Sequence, residues 1–330
     1  MSVAFDTGKF VISLDFELFW GVRDKRTIEN YGTNILGVQL AIPAMLSLFE
    51  KYGVKGTFST VGFLFAKNKE ELLASCPEMK PLYHEANLSP YNSFDAVGNN
   101  EQDDPYHFGY SLLQQIKENN NHEIGTHTFC HYYCLEPGQT PEAFRQDLLA
   151  AKKIAATRGI IVRSLVFPRN QFNEEYLSVC REVGIDSYRG NPTSWLYAGR
   201  NKNDESLLRR AFRFVDTYLN LTGHHCHTKE YVMSSLLLNI AASRFLRPFS
   251  HKLAILDGLR LRRIKRAMLH AAKHKKLFHL WWHPHNFGVN LQQNINFLEK
   301  ILQYFQQLQR DYQFSSITMS GLNDEISQKG

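Results

Sequence analysis

Apolar and polar positions alternate between two periods along this chain. Lys9 to Leu14 is a short, mostly apolar run that predicts a buried first strand, and it ends at an acidic pair, Asp15 and Glu17, within Asp-Phe-Glu-Leu-Phe-Trp-Gly. A helical pattern follows over Val38 to Tyr52, and Gly53 to Gly62 reads as a second strand, so the opening is a strand–helix–strand crossover unit. The spacing then predicts helices near 70–76 and 108–119, a strand ending in Gly125-Thr126, and a helix over 141–158 capped by Thr140. It continues with a strand over 160–167, helices over 174–183, 207–214 and 256–274, a strand over 277–282, a helix over 291–312 and a small strand over 315–319. Strands alternating with helices, with polar clusters just past the strand ends, predict a single-domain α/β chain folded as a distorted (β/α) barrel. Residues 77–105 form a Pro/Asn/Asp-rich stretch too long for an ordinary connection and read as an inserted loop that shapes a site.

Composition changes this picture in one place. The balance of 43% apolar and 21% charged residues is that of a globular chain with a sizeable core. Between Arg244 and Lys276, however, eleven Lys/Arg stand against Asp257 alone, so this stretch is +10 within a net charge of +6 and the remainder carries −4. Residues 206–276 are therefore read as a basic, largely helical insertion suited to an anionic membrane surface, nucleic acid or an anionic substrate. The N-terminus shows no export-signal pattern, and no run of about eighteen apolar residues is evident. The five cysteines have no framework spacing, so free thiols and a cytoplasmic location, peripheral at the inner face of a membrane, are expected.

Four strand ends carry candidate chemistry: Asp15/Glu17, His127/His131, Pro168-Arg169-Asn170 and His283/His285. In a parallel barrel such ends converge on one face. Taken alone, His127 and His131 fit a polar turn as well as a metal site; four apart, they share a face if a helical turn begins there. Two histidines with one carboxylate make a common set for Zn²⁺ and similar ions, and a further carboxylate and histidine can serve as base and acid. Which of Asp15 and Glu17 would meet the metal stays open at this level. Cys130 and Cys134 lie too close to both histidines in sequence to surround a tetrahedral ion with them, and His224-His225-Cys226-His227 has no spaced partner set.

Four segments, in order, resemble the polysaccharide deacetylase (NodB-homology) family, carbohydrate esterase family four: Ser13-Leu14-Asp15-Phe16-Glu17, Gly125-Thr126-His127-Thr128-Phe129-Cys130-His131, Phe167-Pro168-Arg169-Asn170-Gln171 and Leu280-Trp281-Trp282-His283-Pro284-His285. The resemblance implies a metal-dependent hydrolase that removes N-acetyl groups from a sugar in cell-surface polysaccharide biosynthesis. It implies a divalent ion, zinc first and cobalt, manganese or nickel as substitutes, held by Glu17, His127 and His131. Asp15 would be the base and His283, rather than His285, the acid. Arg169 would stand in for the family's arginine two residues before the proline, where this chain has Val166, and a backbone N–H near it would support the oxyanion. Asp186 would correspond to the aspartate that tunes the base. Trp20 and Trp282 would stack on a sugar ring beside Pro168 and Asn170, with Trp195 a further candidate. The implied partner is an N-acetylated sugar, carrier- or lipid-linked, with no nucleic acid expected. Two alternatives accompany this reading: hydrolysis of small cyclic amides or imides on the same fold, and a basic membrane-surface or nucleic-acid binder with a vestigial site.

Overall fold

Lys9–Phe16 (β1) is the central strand of a parallel sheet in the computed structural model, which describes residues 4–197 and 207–328. On one side β1 is followed in order by Gly56–Thr60 (β2), Glu123–Thr126 (β3), Ser164–Leu165 (β4), Ser187–Tyr188 (β5) and Leu238–Asn239 (β6). Arg244–Phe245 (β7) lies on the far side of Leu277–Trp282 (β8), which pairs with the other edge of β1, and Ser315–Ser316 (β9) pairs with the start of β1. Every pairing among these nine strands is parallel, as the strand–helix alternation predicts.

One stretch of chain supplies both β6 and β7, and this brings the two sheet edges together. Ile240 and Ala242 donate N–H bonds of 2.9 Å to the carbonyls of Tyr188 and Gly190, next to β5. Ser243 and Leu246 then donate bonds of 2.8 Å to the carbonyls of His279 and Trp281 on β8. The sheet thus curls into a barrel, which satisfies edge groups that would otherwise be left open.

The side-chain period of two sorts residues between the layers. Along β1, Phe10, Ile12, Leu14 and Phe16 face the helices, where Phe10 meets Phe278, Phe305 and Phe314. Val11 faces the lumen, whose lower half is filled by Val166, Ile240 and Leu277 and closed by Met319, Leu322 and Ile326 of the terminal helix Met319–Gln328. The outer layer includes Val38–Tyr52, Pro141–Ala156, Asp257–Lys273 and Leu291–Tyr312. The stretch Ile28–Tyr52 is long and apolar enough by composition to cross a bilayer, which was not evident from runs of apolar residues, and half of it is buried in this fold.

Several sequence expectations need correction. The basic stretch is not simply an insertion: residues 238–246 close the barrel, and Asp257–Lys273 packs against Leu291–Tyr312. Two-residue strands are too short to leave a period in the sequence, and Ser206, the expected boundary, lies outside the described residues. The strand expected over 160–167 is reduced to Ser164–Leu165, and that over 315–319 to Ser315–Ser316. Residues 77–105 are largely exposed but anchored on the core by aromatic contacts, Tyr91 and Phe94 against Phe63 and Phe94 also edge-on to Trp20. The expectation of free thiols holds, for all five cysteines are unpaired.

Candidate active site

The period that sends Leu14 and Phe16 outward sends Ser13 and Asp15 into the lumen, and Glu17 follows just past the strand end. There the backbone turns sharply, with Leu18 in the left-handed region at φ 47°, into the short turn Leu18–Gly21. Glu17 folds back over Gly21 so closely that a Cβ on that glycine would lie 1.9 Å from the Glu17 carboxyl carbon.

His127 and His131 reach Glu17 from the loop after β3. No helical turn begins there; Thr128 and His131 adopt left-handed backbone at φ 65° and 61°. The loop is held instead by Asp147 of the helix Pro141–Ala156, which accepts N–H bonds from Phe129 at 2.7 Å and Cys130 at 3.1 Å. The hydroxyl of Thr128 accepts a further bond from the Tyr132 N–H at 2.7 Å. The imidazoles converge nonetheless, with His131 Nε2 3.0 Å and His127 Nε2 3.3 Å from Glu17 Oε2.

The tautomer of His127 shows what this cluster is suited to hold. Its Nδ1 lies 2.7 Å from the Val166 carbonyl, which can only accept, so Nδ1 carries a proton and Nε2 is the ring nitrogen left to face Glu17. Burial pushes His131 down to about 4 against the pull of Glu17, so its ring is neutral at pH 7. Burial raises the Glu17 carboxyl, but His283, His127 and His131 together hold it well below the usual carboxylate range. Two imidazoles and a carboxylate, all buried, with ligand atoms within 4.8 Å of one another, form a donor set that fits a divalent cation. It is the one such cluster found among the described residues. Glu17, rather than Asp15, is the acid within it.

Asp15 is engaged differently. Its two oxygens meet Arg189 Nη1 and Nη2 at 2.6 and 2.7 Å, and Arg189 also donates to Ser13 Oγ at 3.0 Å and Asn170 Oδ1 at 3.3 Å. Burial raises the Asp15 carboxyl, but the Arg189 guanidinium, aided by His127 and His283, leaves it below its ordinary value. The fork is stiffened from below: His279 Nδ1 donates to the Ile240 carbonyl and its Nε2 accepts from Ser13 Oγ, both at 2.8 Å.

The partly exposed His283 follows β8 directly, with Nε2 3.7 Å from both Asp15 Oδ2 and Glu17 Oε1. His285 is buried and stacked on His283, its Nδ1 3.9 Å from Glu17, and burial followed by His283 pushes it down to about 3. Of the two, His283 is the one that lines the open cleft.

Other expected site residues fall elsewhere. Trp20 is 0% exposed, with its Nε1 donating to the His107 carbonyl, so it is core rather than a sugar platform. Trp282, also 0% exposed, packs outward against Phe49 and Phe287; strand parity turns Trp281 inward in its place. Asp186 precedes β5 and pairs with Arg163 at 2.6 Å, remote from Asp15, which takes Arg189 as its partner. Arg169 likewise does not reach Asp15; left-handed at φ 55°, it pairs with Asp24 and Glu136 and lies over Tyr133. Pro168 is buried in its turn, whereas Asn170 does line the cleft. Trp195 is exposed and does not line it. Arg189 was missed because a lone arginine after a two-residue strand carries no motif, but the parity of β8 could have named Trp281.

Fold and site together define a (β/α)-barrel protein with a two-histidine, one-carboxylate centre at the C-terminal ends of its strands. Residues 32–188, a little under half of the chain, match the family model for polysaccharide deacetylases, and that segment is similar to the family. His127 and His131 lie inside the matched segment, and Asp15, Glu17 and His283 outside it. No match was found among curated proteins. Among solved structures the chain is similar to one from Mycobacterium smegmatis assigned, not proven, as a polysaccharide deacetylase (TM-score 0.57, 12% identity, covering 99% of this chain and 92% of that one). It is also similar to the Xyl-CE4 domain of a multidomain xylanase from the hindgut metagenome of Trinervitermes trinervoides (0.45, 12%, 98% and 92%). A third is the 4-alpha-glucanotransferase from Thermococcus litoralis (0.50, 12%, 97% and 40%). At such identities the likeness speaks for the fold alone, and the xylanase domain, with the lowest score, carries no weight even there.

Proposed function

We propose that this protein is a metal-dependent hydrolase that removes an N-acetyl group from a sugar. The observation that carries the reading is the Glu17 carboxylate facing the His127 and His131 imidazoles beside Asp15 and His283, at the mouth of an open cleft. Glu17, His127 and His131 would hold a divalent ion, most simply zinc, which when bound would lower the pKa of water and polarise the acetyl carbonyl. Asp15, kept ionised and fixed in rotation by the Arg189 fork, takes the proton from the attacking water. His283, partly exposed and within reach of both acids, protonates the departing sugar amine. The family supports acetylated carbohydrate over a cyclic amide or imide, and a role in building a surface polysaccharide at the cytoplasmic face of a membrane accords with the sequence. The test is acetate release from N-acetylhexosamine oligosaccharides by the zinc-loaded protein, its chelated form and Glu17→Gln. Equal release by all three would exclude the mechanism.

A further inference from the structure

A cleft of about 640 Å³ opens beside His283 and Trp281, and its lining includes seven lysines and arginines and no carboxylate. Several of these cations are already matched from behind. Arg244 pairs with Asp216 at 2.5 Å, Arg260 with Asp257 at 2.9 Å, and Arg169 with Asp24 and Glu136. Arg247 is not: its Nε donates to Thr217 Oγ1 at 3.1 Å, its guanidinium lies 5.5 Å from the Phe214 ring, and it meets no carboxylate among the described residues. Burial, together with the nearby Arg213, lowers the pKa of Arg247, as for a cation short of a counter-charge. Arg210, from the same helix as Arg213, adds an exposed cation without a carboxylate partner among the described residues.

That helix, Leu207–Asp216, is turned the unusual way round. Arg210 and Arg213 line the cleft, while Leu208, Phe212 and Val215, spaced by four and three on the opposite face, are 66%, 43% and 39% exposed. A cationic inner wall beside an outward apolar stripe suits a molecule that joins a phosphoryl group to hydrocarbon.

Resting on the deacetylase reading, we propose that the sugar is presented on a phosphate or diphosphate, with its phosphoryl oxygens held by Arg247 and Arg210 and its N-acetyl group directed to His283. Guanidinium forks bind phosphoryl oxygens through paired N–H bonds, and a desolvated arginine lacking a carboxylate gains most from such a ligand. The cleft residue Asn191, whose side chain donates to the Asn170 carbonyl at 3.1 Å, adds a polar wall between the arginines and the acids.

The experiment uses the zinc-loaded full chain and two readouts. In calorimetry, inorganic pyrophosphate is expected to bind, to weaken as salt is raised, and to lose about tenfold or more in affinity in Arg247→Met and in the exposed variant Arg210→Gln, each checked for an unchanged melting temperature. In acetate release, UDP-N-acetylglucosamine and a polyprenyl-diphosphate-linked N-acetylglucosamine in vesicles are compared with a neutral N-acetylglucosamine glycoside. At least one phosphorylated substrate is expected to exceed the neutral one by about tenfold in kcat/KM, with the advantage collapsing in Arg247→Met. Preference for the lipid-linked substrate supports a membrane carrier, and preference for the nucleotide supports a soluble one. Pyrophosphate binding that is absent or unchanged in both variants overturns the proposal, as does equal turnover of neutral and phosphorylated sugars. Pyrophosphate binding that depends on Arg247, with acetate released from no substrate, overturns the deacetylase reading and leaves the anion site standing.

Discussion

Arg189 and Asp15 form a two-pronged pair inside the barrel, Nη1 to Oδ1 at 2.6 Å and Nη2 to Oδ2 at 2.7 Å, with both side chains almost wholly buried. Removing the guanidinium strands a carboxylate, at a cost of about 3 kcal/mol or more. Arg189→Met is therefore expected to lower stability by roughly that amount in urea unfolding and acetate release by about 100-fold or more. Arg189→Lys keeps the charge and loses the fork, and is expected to recover most of the stability but little of the activity. Full activity in Arg189→Lys would show that orientation of Asp15 is not what the fork provides.

Gly21 tests the carboxylate end of the metal cluster. A methyl group there would overlap the Glu17 carboxyl, the movable end of a side chain, so the fold should absorb it while Glu17 swings away from the imidazoles. Zinc titration of Gly21→Ala is expected to show about 10- to 100-fold weaker binding with a nearly unchanged melting temperature.

Asp147 tests the loop that carries His127 and His131. It is buried and accepts the Phe129 and Cys130 N–H groups, and burial pushes its carboxyl up to about 6. Asp147→Ala would leave both donors unmatched, each costing about 1–3 kcal/mol. Urea unfolding should register that loss, and zinc affinity should fall with it, because the same loop carries both histidines.

His122 gives the chain an acid-sensitive element away from the site. Its Nδ1 accepts the Gly56 N–H at 3.1 Å, its ring lies edge-on to Phe49 and Phe58, and burial pushes it down to about 4. The folded state thus prefers the neutral ring, and between about pH 6.5 and 4 the unfolded chain binds the extra proton. The stabilisation is present above pH 6.5 and is lost as pH falls toward 4, on the order of 1 kcal/mol from this residue at pH 5. Urea unfolding at pH 7.5 and pH 5 should show a smaller pH difference in His122→Gln, whose amide oxygen can still accept from Gly56. An NMR titration placing His122 in the folded protein near 6.5 would contradict this account.

Much of the site was legible along the chain because strands encode direction locally. The apolar run of β1 and the polar residues after it placed Asp15 and Glu17 at a strand end, and the Gly-Thr ending of β3 placed His127 beyond the next. The same parity would have turned Trp281 inward and Trp282 outward on β8. Arg189 and Asp147 were not legible, since each acts on a residue far away in sequence through contacts that exist only once the barrel has formed.

By itself the sequence determined the strand–helix order, the positions of Asp15, Glu17, His127, His131 and His283 at strand ends, and the excess of charge between Arg244 and Lys276. Tertiary structure decided that Glu17 is the acid beside the two imidazoles, that Arg189 rather than Arg169 or Asp186 meets Asp15, and that Trp20 and Trp282 are core. It also divided the basic stretch between buried pairs such as Arg244 with Asp216 and cleft-lining cations such as Arg247. The physical reason is that periodicity records which way a side chain faces, whereas its partner is set by where residues 238–246 bring the two edges of the sheet together.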